Sequence, residues 1–266
     1  KPYWDMKNIW LIHEKFSDTA QDNSYYFFKH CYENQLKTNA FYVIKDNSPD
    51  LKGLNPMSKR VIKFMSLKHL IYIMGCKLII SSETKGHGYP WRVNVGKIRA
   101  KLNEKKWIFL QHGVIALKKV DYALSKSTIN SAELFVVSSD YEKEIIQEYF
   151  GYSPDEIIVT GLARWDVLRD NSLNKTQKQI LLMPTWRNWM DEVDEETFLQ
   201  SSYYKNYTSI LMSDDLNKVL KTNKVILYFY VHPRFMSYVE QFNSNMSNIK
   251  VLKSGEAKIN DLLMNS

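Results

Sequence analysis

Cysteine is nearly absent: only Cys31 and Cys76 occur in the 266 residues. Two cysteines so placed make neither a disulfide framework nor a zinc-ligand pattern. Each reads as a small buried hydrophobe, in a chain suited to a reducing compartment. No run of about 18 apolar residues occurs, which excludes a bilayer-spanning helix. The opening Lys1-Pro2-Tyr3-Trp4-Asp5 lacks the apolar stretch of a signal peptide and lacks an initiator Met, as expected of a piece of something longer. The sequence also lacks a G-x-x-x-x-G-K-S/T loop, a G-x-G-x-x-G fingerprint and an H-E-x-x-H pair, so P-loop, dinucleotide and zincin chemistry find no support. No paired acidic motif offers a metal site; none is expected, and the scattered Asp and Glu read as solvated surface.

What is present is positive charge and apolar pattern. The net charge is +7 and the isoelectric point about 9.1. A basic surface favours anionic partners such as phospholipid head groups, nucleotides or phosphate polymers. Aromatic residues make up 14% of the chain. Most sit inside strand-like or helix-like apolar patterns, which points to core packing rather than to stacking on nucleic acid.

Short apolar runs alternate with amphipathic stretches. Ile9–Ile12, Ala40–Ile44, Lys77–Ser81, Trp107–Gln111, Leu134–Val137 and Glu156–Thr160 read as strands. Helices are expected over 24–36, 59–74 and 140–150. A polar, turn-like segment, Asp170–Asn174, reads as a linker. A second series follows, with strands at Ile180–Met183, Val225–Val231 and Ile249–Leu252 and helices over 207–222 and 235–242. Continuous apolar strands alternating with helices predict an α/β fold with buried parallel sheets. The second series reaches only three strands and a helix opening at Asn260, so its domain is expected to continue past Ser266.

Six places could carry chemistry. His112 and Gly113 follow a buried strand directly, where ligands gather in open α/β sheets and where an imidazole can serve as a base. The bland reading is a loop histidine capping the next helix. His232-Pro233-Arg234 repeats the arrangement in the second half, and two such histidines suggest a cleft with one on each side; the alternative is a solvated turn. Thr185-Trp186-Arg187 follows another strand and suits a phosphorylated ligand, or is a Pro-terminated strand with a surface Arg. Gly161 to Asp166 offers Arg164 and Asp166 near the domain junction, with an internal Arg164–Asp166 pair as the plain reading. Asp22, Asn23 and Ser24 can cap the first helix or meet an acceptor. The stretch Lys59–Met74 reads as a basic amphipathic helix that either lies on an anionic membrane or packs on the sheet.

Taken together these segments resemble the CDP-glycerol glycerophosphotransferase family of teichoic acid synthesis. Asp22-Asn23-Ser24 through Phe28 is similar to its "DNG…F" segment, with Ser24 for Gly. Gln111-His112-Gly113 with Lys118-Lys119 is similar to its "HG…LK" motif. Gly161 to Asp166 is similar to its "G.PR.D" turn, with Ala163 for Pro. Pro184-Thr185-Trp186-Arg187 matches "PTWR", and His232-Pro233 its second histidine motif. The resemblance implies two Rossmann-like domains in a GT-B-type arrangement: residues 1–168 on the acceptor and membrane side, and residues 169–266 as an incomplete CDP-donor domain lacking the family's "TDYSS"-like segment. It implies transfer of glycerol phosphate or ribitol phosphate from the CDP-polyol to a lipid-linked teichoic acid or capsule acceptor, at the cytoplasmic face of the membrane, without metal, cofactor or nucleic acid. His112 would be the base and His232 would stabilise the diphosphate. Thr185, Trp186, Arg187, Arg234 and Gly113 would hold donor phosphate. Asp22, Asn23, Lys118, Arg164 and Asp166 would serve the acceptor or the domain junction. A GT-B glycosyltransferase using a nucleotide-sugar and a non-catalytic membrane-bound module are the alternatives.

Overall fold

Residues Ile9–His13 form β1, whose side chains are apolar on both faces. Ile9 and Leu11 enter one core with Val43, Ile73, Ile79 and Trp107, while Ile12 enters another with Phe28, Tyr42, Ile44 and Ile80. A strand buried on both sides needs helices over both faces of its sheet, the hallmark of a parallel α/β architecture. Each such buried side chain contributes about 1.5–3 kcal/mol. The computed structural model describes residues 7–36, 39–90, 96–116, 119–173, 175–253 and 255–266. The chain divides into two units, Lys1–Val167 and Leu168–Ser266.

In the first unit β1 is joined by β2 (Asn39–Ile44), β3 (Val61–Lys63), β4 (Leu78–Ser81), β5 (Lys106–Phe109), β6 (Leu134–Val137) and β7 (Ile157–Val159). They form one sheet in the order β3-β2-β1-β4-β5-β6-β7, with every neighbouring pair parallel. The order reverses between β1 and β4, so the crevice at the carboxyl ends of these strands is where a ligand site is expected. Helix α1 (Asn23–Glu33) places Phe28 and Cys31 on one face of the sheet. Helices α2 (Leu67–Gly75), α3 (Lys97–Asn103), α4 (Asp121–Leu124) and α5 (Asp140–Phe150) follow; Ile73, Leu102, Ile146 and Phe150 join the core on the other face. Ser66 and Ser139 cap α2 and α5 by accepting from the backbone N–H of His69 and Glu142. Both cysteines are buried and free, as the sequence suggests.

The second unit has a three-stranded parallel sheet in the order β10-β9-β8, from β8 (Lys178–Leu182), β9 (Val225–Tyr230) and β10 (Ile249–Leu252). Helices α6 (Glu195–Gln200), α7 (Ser202–Leu211), α8 (Asp214–Thr222) and α9 (Ile259–Met264) accompany it. Its core is aromatic: Phe198 stacks on Tyr238 at 4.1 Å and meets Phe235 and Phe242 edge-on.

Three expectations change. The stretch 59–74 is not one helix. A 3-10 segment ends at Arg60, Val61–Lys63 pairs with Tyr42–Ile44 as β3, and α2 starts only after Ser66. A short β-branched run beside an open sheet edge gains ladder hydrogen bonds that outweigh its helical periodicity. The stretch 207–222 breaks at Ser213, whose hydroxyl caps α8. Residues Pro233–Gln241 form 3-10 rather than α-helix. Among the described residues no helix is long and apolar enough to cross a membrane.

Candidate active site

Three segments meet at the carboxyl edge of the first sheet. Asp22 is the N-cap of α1, its Oδ1 accepting from Asn23 N at 2.8 Å. The same Oδ1 accepts from Arg164 Nη1 at 2.7 Å, and Oδ2 lies 2.6 Å from His112 Nδ1. Arg164 Nη1 also donates to the His112 carbonyl at 2.6 Å. The buried Asn23 amide ties the segments together. Its Nδ2 donates to the carbonyls of Leu110 (3.3 Å) and Gln111 (2.7 Å), and its Oδ1 accepts from Arg164 N at 3.1 Å. Gly161, at φ +79°, turns the chain after β7 into the 3-10 segment Ala163–Val167 that carries Arg164.

The imidazole of His112 is 65% exposed while the Asp22 side chain is 13% exposed, so the histidine faces solvent on an anchored carboxylate. Its pKa is raised by the hydrogen bond to Asp22, against desolvation. Burial pushes the Asp22 carboxyl up, but the bond and charge of His112, the Asn23 N–H and Arg164 more than offset this and hold it below the usual value. The Asp22 carboxylate only accepts, so Nδ1 carries the proton and Nε2 of the neutral ring is left with a free lone pair.

Around His112 lie residues to which the sequence gave no role of their own. Gln111, fully buried, takes φ +61°, a left-handed conformation costly for a non-glycine residue. It is held there by Nε2, which donates to the Val136 carbonyl at 2.7 Å and to Glu142 Oε1 at 3.0 Å. Glu142, also buried, further accepts from Ile115 N, Ser138 N and Ser138 Oγ at 2.5–2.7 Å. Glu14, directly after β1, is 1% exposed. It accepts from Thr19 Oγ1 (2.8 Å), Asp22 N (2.7 Å), and the N–H groups of Gln21 and Tyr25 (3.2 Å each). Burial pushes it up to about 7, with the Asp22 and Gln21 N–H groups pulling the other way. These two glutamates are structural anchors rather than solvated surface. The available signal for Glu14 was its place at a strand's carboxyl end.

The other expected residues of this unit fall as follows. Arg164 pairs with Asp22, not with Asp166, which is exposed on the same turn. Asp22 lies 142 residues from Arg164 in sequence but is the acceptor its guanidinium reaches once α1 and the turn share the sheet edge. Gly113 has no positive φ, and a Cβ there would sit an ordinary 3.9 Å from Arg164 Nη2. Lys118 lies outside the described residues.

In the second unit, the segments after β8 and β9 sit together. Trp186 stacks on His232 with ring centroids 6.1 Å apart, and the Arg234 guanidinium lies 5.3 Å from the Trp186 ring. Arg234 Nη1 also bonds Asp191 Oδ2 at 3.0 Å. His232 Nδ1 accepts from Arg234 N at 3.2 Å, and its pKa is lowered by desolvation and then by Arg234. Arg187 turns elsewhere, donating to the Thr185 carbonyl at 2.8 Å and lying 5.9 Å from the Tyr203 ring; Thr185 is exposed.

A carboxylate-anchored imidazole in one unit and an imidazole–indole–guanidinium stack in the other suit proton abstraction and phosphate binding. Comparisons with known proteins place the chain among others. The minor teichoic acid biosynthesis protein GgaB of Bacillus subtilis (strain 168) is 24% identical over 255 residues, 91% of this chain and 27% of GgaB. The chain thus spans about a quarter of the length of that relative. The wall teichoic acid polymerase TagF matches with TM-score 0.63 and 14% identity, over 98% of this chain and 64% of that one. A TagF variant soaked with CDPG matches with TM-score 0.58 and 12% identity, over 99% and 66%. At these identities the TagF likeness speaks for the fold alone. The family described as CDP-glycerol:poly(glycerophosphate) glycerophosphotransferase matches residues 2–266, and the chain belongs to that family.

Proposed function

We propose that this chain carries the catalytic region of a polyol-phosphate transferase, which moves glycerol phosphate or ribitol phosphate from a CDP-polyol to a lipid-linked teichoic acid or capsule acceptor. The observation that carries the reading is the Asp22–His112 contact of 2.6 Å, which leaves Nε2 of a solvent-facing imidazole free to take a proton. A terminal hydroxyl of the acceptor gives its proton to His112 Nε2 while its oxygen attacks the phosphorus that bears the polyol. The bond from that phosphorus to the bridging oxygen breaks, and its electron pair leaves with CMP. Phosphoryl transfer is mostly positioning and electrostatics; Arg234, Thr185 and His232 supply a cation and donors at the strand ends of the second unit, and Arg187, turned onto the Thr185 carbonyl, adds positive charge beside them. Trp186 orients His232 and Arg234 by stacking. The basic composition and the lipid-linked acceptor support action as a peripheral protein at the cytoplasmic face of the membrane.

The test is CMP release by the full-length protein, with CDP-glycerol and then CDP-ribitol, against a membrane acceptor. His112→Ala is expected to reduce turnover by about 10²–10⁴-fold, the usual worth of a general base. Absence of CMP release with both donors, or full turnover in the variant, overturns the proposal.

A further inference from the structure

Glu14, Asp22 and Glu142, at the carboxyl edge of the first sheet, each engage both carboxylate oxygens with protein donors. Glu83 stands at the same edge and differs. Its side chain is only 20% exposed, yet among the described residues its carboxylate accepts no hydrogen bond; its ionic partner is Lys15 Nζ, 4.0 Å away and on a side chain 55% exposed. That distance is too long for a hydrogen bond. A carboxylate largely withdrawn from water and given no donor is costly. The backbone around it is nevertheless fixed. Ser81 Oγ donates to the Glu83 carbonyl at 2.5 Å, and Ser82 N donates at 2.6 Å to Ser24 Oγ, on the first turn of α1 beside Asp22 and Asn23. The sheet puts Glu83 next to His112. Strands β4 and β5 are parallel neighbours with Ser81 paired to Phe109, and Leu110 N donates to the Ser81 carbonyl at 2.9 Å. Glu83 and His112 therefore leave adjacent strands, about 4.7–4.9 Å apart, at nearly the same level. The His112 pKa, raised chiefly by Asp22, is raised further by the Glu83 charge, as expected of groups that share one crevice.

We propose that Glu83 is a specificity-determining residue for the acceptor: its carboxylate accepts a hydrogen bond from a second hydroxyl, on the carbon next to the one whose hydroxyl gives its proton to His112 Nε2. The site thereby selects a chain end that carries a vicinal diol. The chemistry of the carboxylate chooses the ligand group. It can only accept, so it needs a donor and repels a phosphate oxygen, which also only accepts. Glycerol and ribitol units both end in a primary hydroxyl with a second hydroxyl on the adjoining carbon, so either supplies the pair. Held at Glu83, the second hydroxyl fixes the torsion of the chain end and turns the primary oxygen toward Nε2, which is the positioning that phosphoryl transfer depends on. The missing hydrogen bond of Glu83 is then a place kept for substrate, a stability cost of the kind active sites carry. The inference deepens the transfer proposed above and rests on that reading.

The test uses the full-length protein and two short synthetic poly(glycerol phosphate) acceptors, one ending in the natural diol and one with the second hydroxyl of the last unit replaced by hydrogen. Binding is measured by calorimetry without donor, and turnover by CMP release. The wild type is expected to bind the diol at least about tenfold more tightly, the worth of a hydrogen bond to a charged group. Glu83→Ala is expected to lose that preference, with KM for the diol rising to the value for the deoxy acceptor while KM for the deoxy acceptor and for the donor stays unchanged. Glu83→Gln, which can still accept, is expected to recover part of it. The melting temperature of Glu83→Ala is expected to equal or exceed that of the wild type, because no protein hydrogen bond is lost. Equal binding of the two acceptors by the wild type, or an equal loss for both in Glu83→Ala, would overturn the assignment. A wild type that prefers the diol in binding but releases no CMP would leave the diol site standing and count against the functional reading; CMP release without the preference would do the reverse.

Discussion

Replacing Asp22 by Asn tests the site at its most sensitive atom. The substitution preserves shape and helix cap, because Asn is as good an N-cap as Asp. What changes is fixed by the neighbours. Asp22 Oδ1 accepts from both Asn23 N and Arg164 Nη1. In the variant the amide oxygen must stay at that position, since an NH2 group there would face two donors. The NH2 therefore takes the Oδ2 position, 2.6 Å from His112 Nδ1. It can only donate, so Nδ1 must accept and the ring proton moves to Nε2, the atom that has to be free. The proposed base is then removed without removing the imidazole, and on that proposal the expected loss in kcat is about 10²–10⁴-fold, with little change in KM for the donor.

The pH dependence separates this from a fold defect. In the wild type Asp22 raises the His112 pKa, so the rising limb of activity lies above the ordinary histidine value of about 6.5. In the variant the residual activity rises at lower pH. The same shift has a stability counterpart. A raised histidine pKa favours the folded state fully below the unfolded value of about 6.5, and that gain is lost as pH rises through the folded value. The variant should lose this slope. CMP release from pH 5.5 to 9, with NMR titration of the His112 ring, measures both. Activity within twofold of wild type and an unmoved profile would refute the assignment of the proton to Nδ1.

Other outcomes follow from the same packing. Gly88→Ala would place a Cβ 2.3 Å from His13 Cδ2 and 2.4 Å from Nε2; His13 is fully buried, so urea unfolding should show a loss of about 1–3 kcal/mol or more. Glu14→Gln keeps an amide oxygen at the Oε1 position, facing the N–H groups of Gln21, Asp22 and Tyr25, and turns its NH2 toward Gln21 N and the Thr19 hydroxyl; the one donor-to-donor contact should cost about 1–3 kcal/mol and lower kcat by loosening the loop that ends at Asp22, whereas a wild-type kcat would show the loop to be irrelevant to the site. Burial lowers the pKa values of His13 and His69 to about 4. The unfolded chain therefore binds more protons between about pH 6.5 and 4, and the urea midpoint should fall as pH drops through that window; His69→Gln should flatten the fall, and an equal fall in the variant would refute the contribution of His69.

Much of the fold could be read from the sequence because its strands are apolar runs that end abruptly. The apolar runs that contain β1, β5 and β9 end at polar residues, His13-Glu14, Gln111-His112 and His232, and those residues bound the candidate sites. β3 could not be read, since Val61–Lys63 continues the apolar period of the residues after it and only pairing with β2 makes it a strand. Asp22 was legible as a cap but not as the partner of His112. That contact closes 90 residues of chain and depends on the strand order, which no local pattern encodes. Glu14 and Glu142 were misread for the same reason. Their partners are mostly backbone N–H groups of loops that exist only once the sheet is formed, and a sequence shows every backbone N–H alike.

Each histidine follows a strand, and in the sequence only the family resemblance told their roles apart; in the structure their surroundings give them opposite capacities. His112 Nδ1 faces a carboxylate that can only accept, so the ring donates there and Nε2 accepts. His232 Nδ1 faces the Arg234 N–H, which can only donate, so the ring accepts there and Nε2 carries the proton. The pKa directions agree: the carboxylate raises the first, while desolvation and the Arg234 charge lower the second. One imidazole is thus prepared to take a proton and the other, neutral, to offer a hydrogen bond without becoming a cation. Exchanging the two motifs would not preserve function even though both read as histidine after a strand, because the role is written by what faces Nδ1.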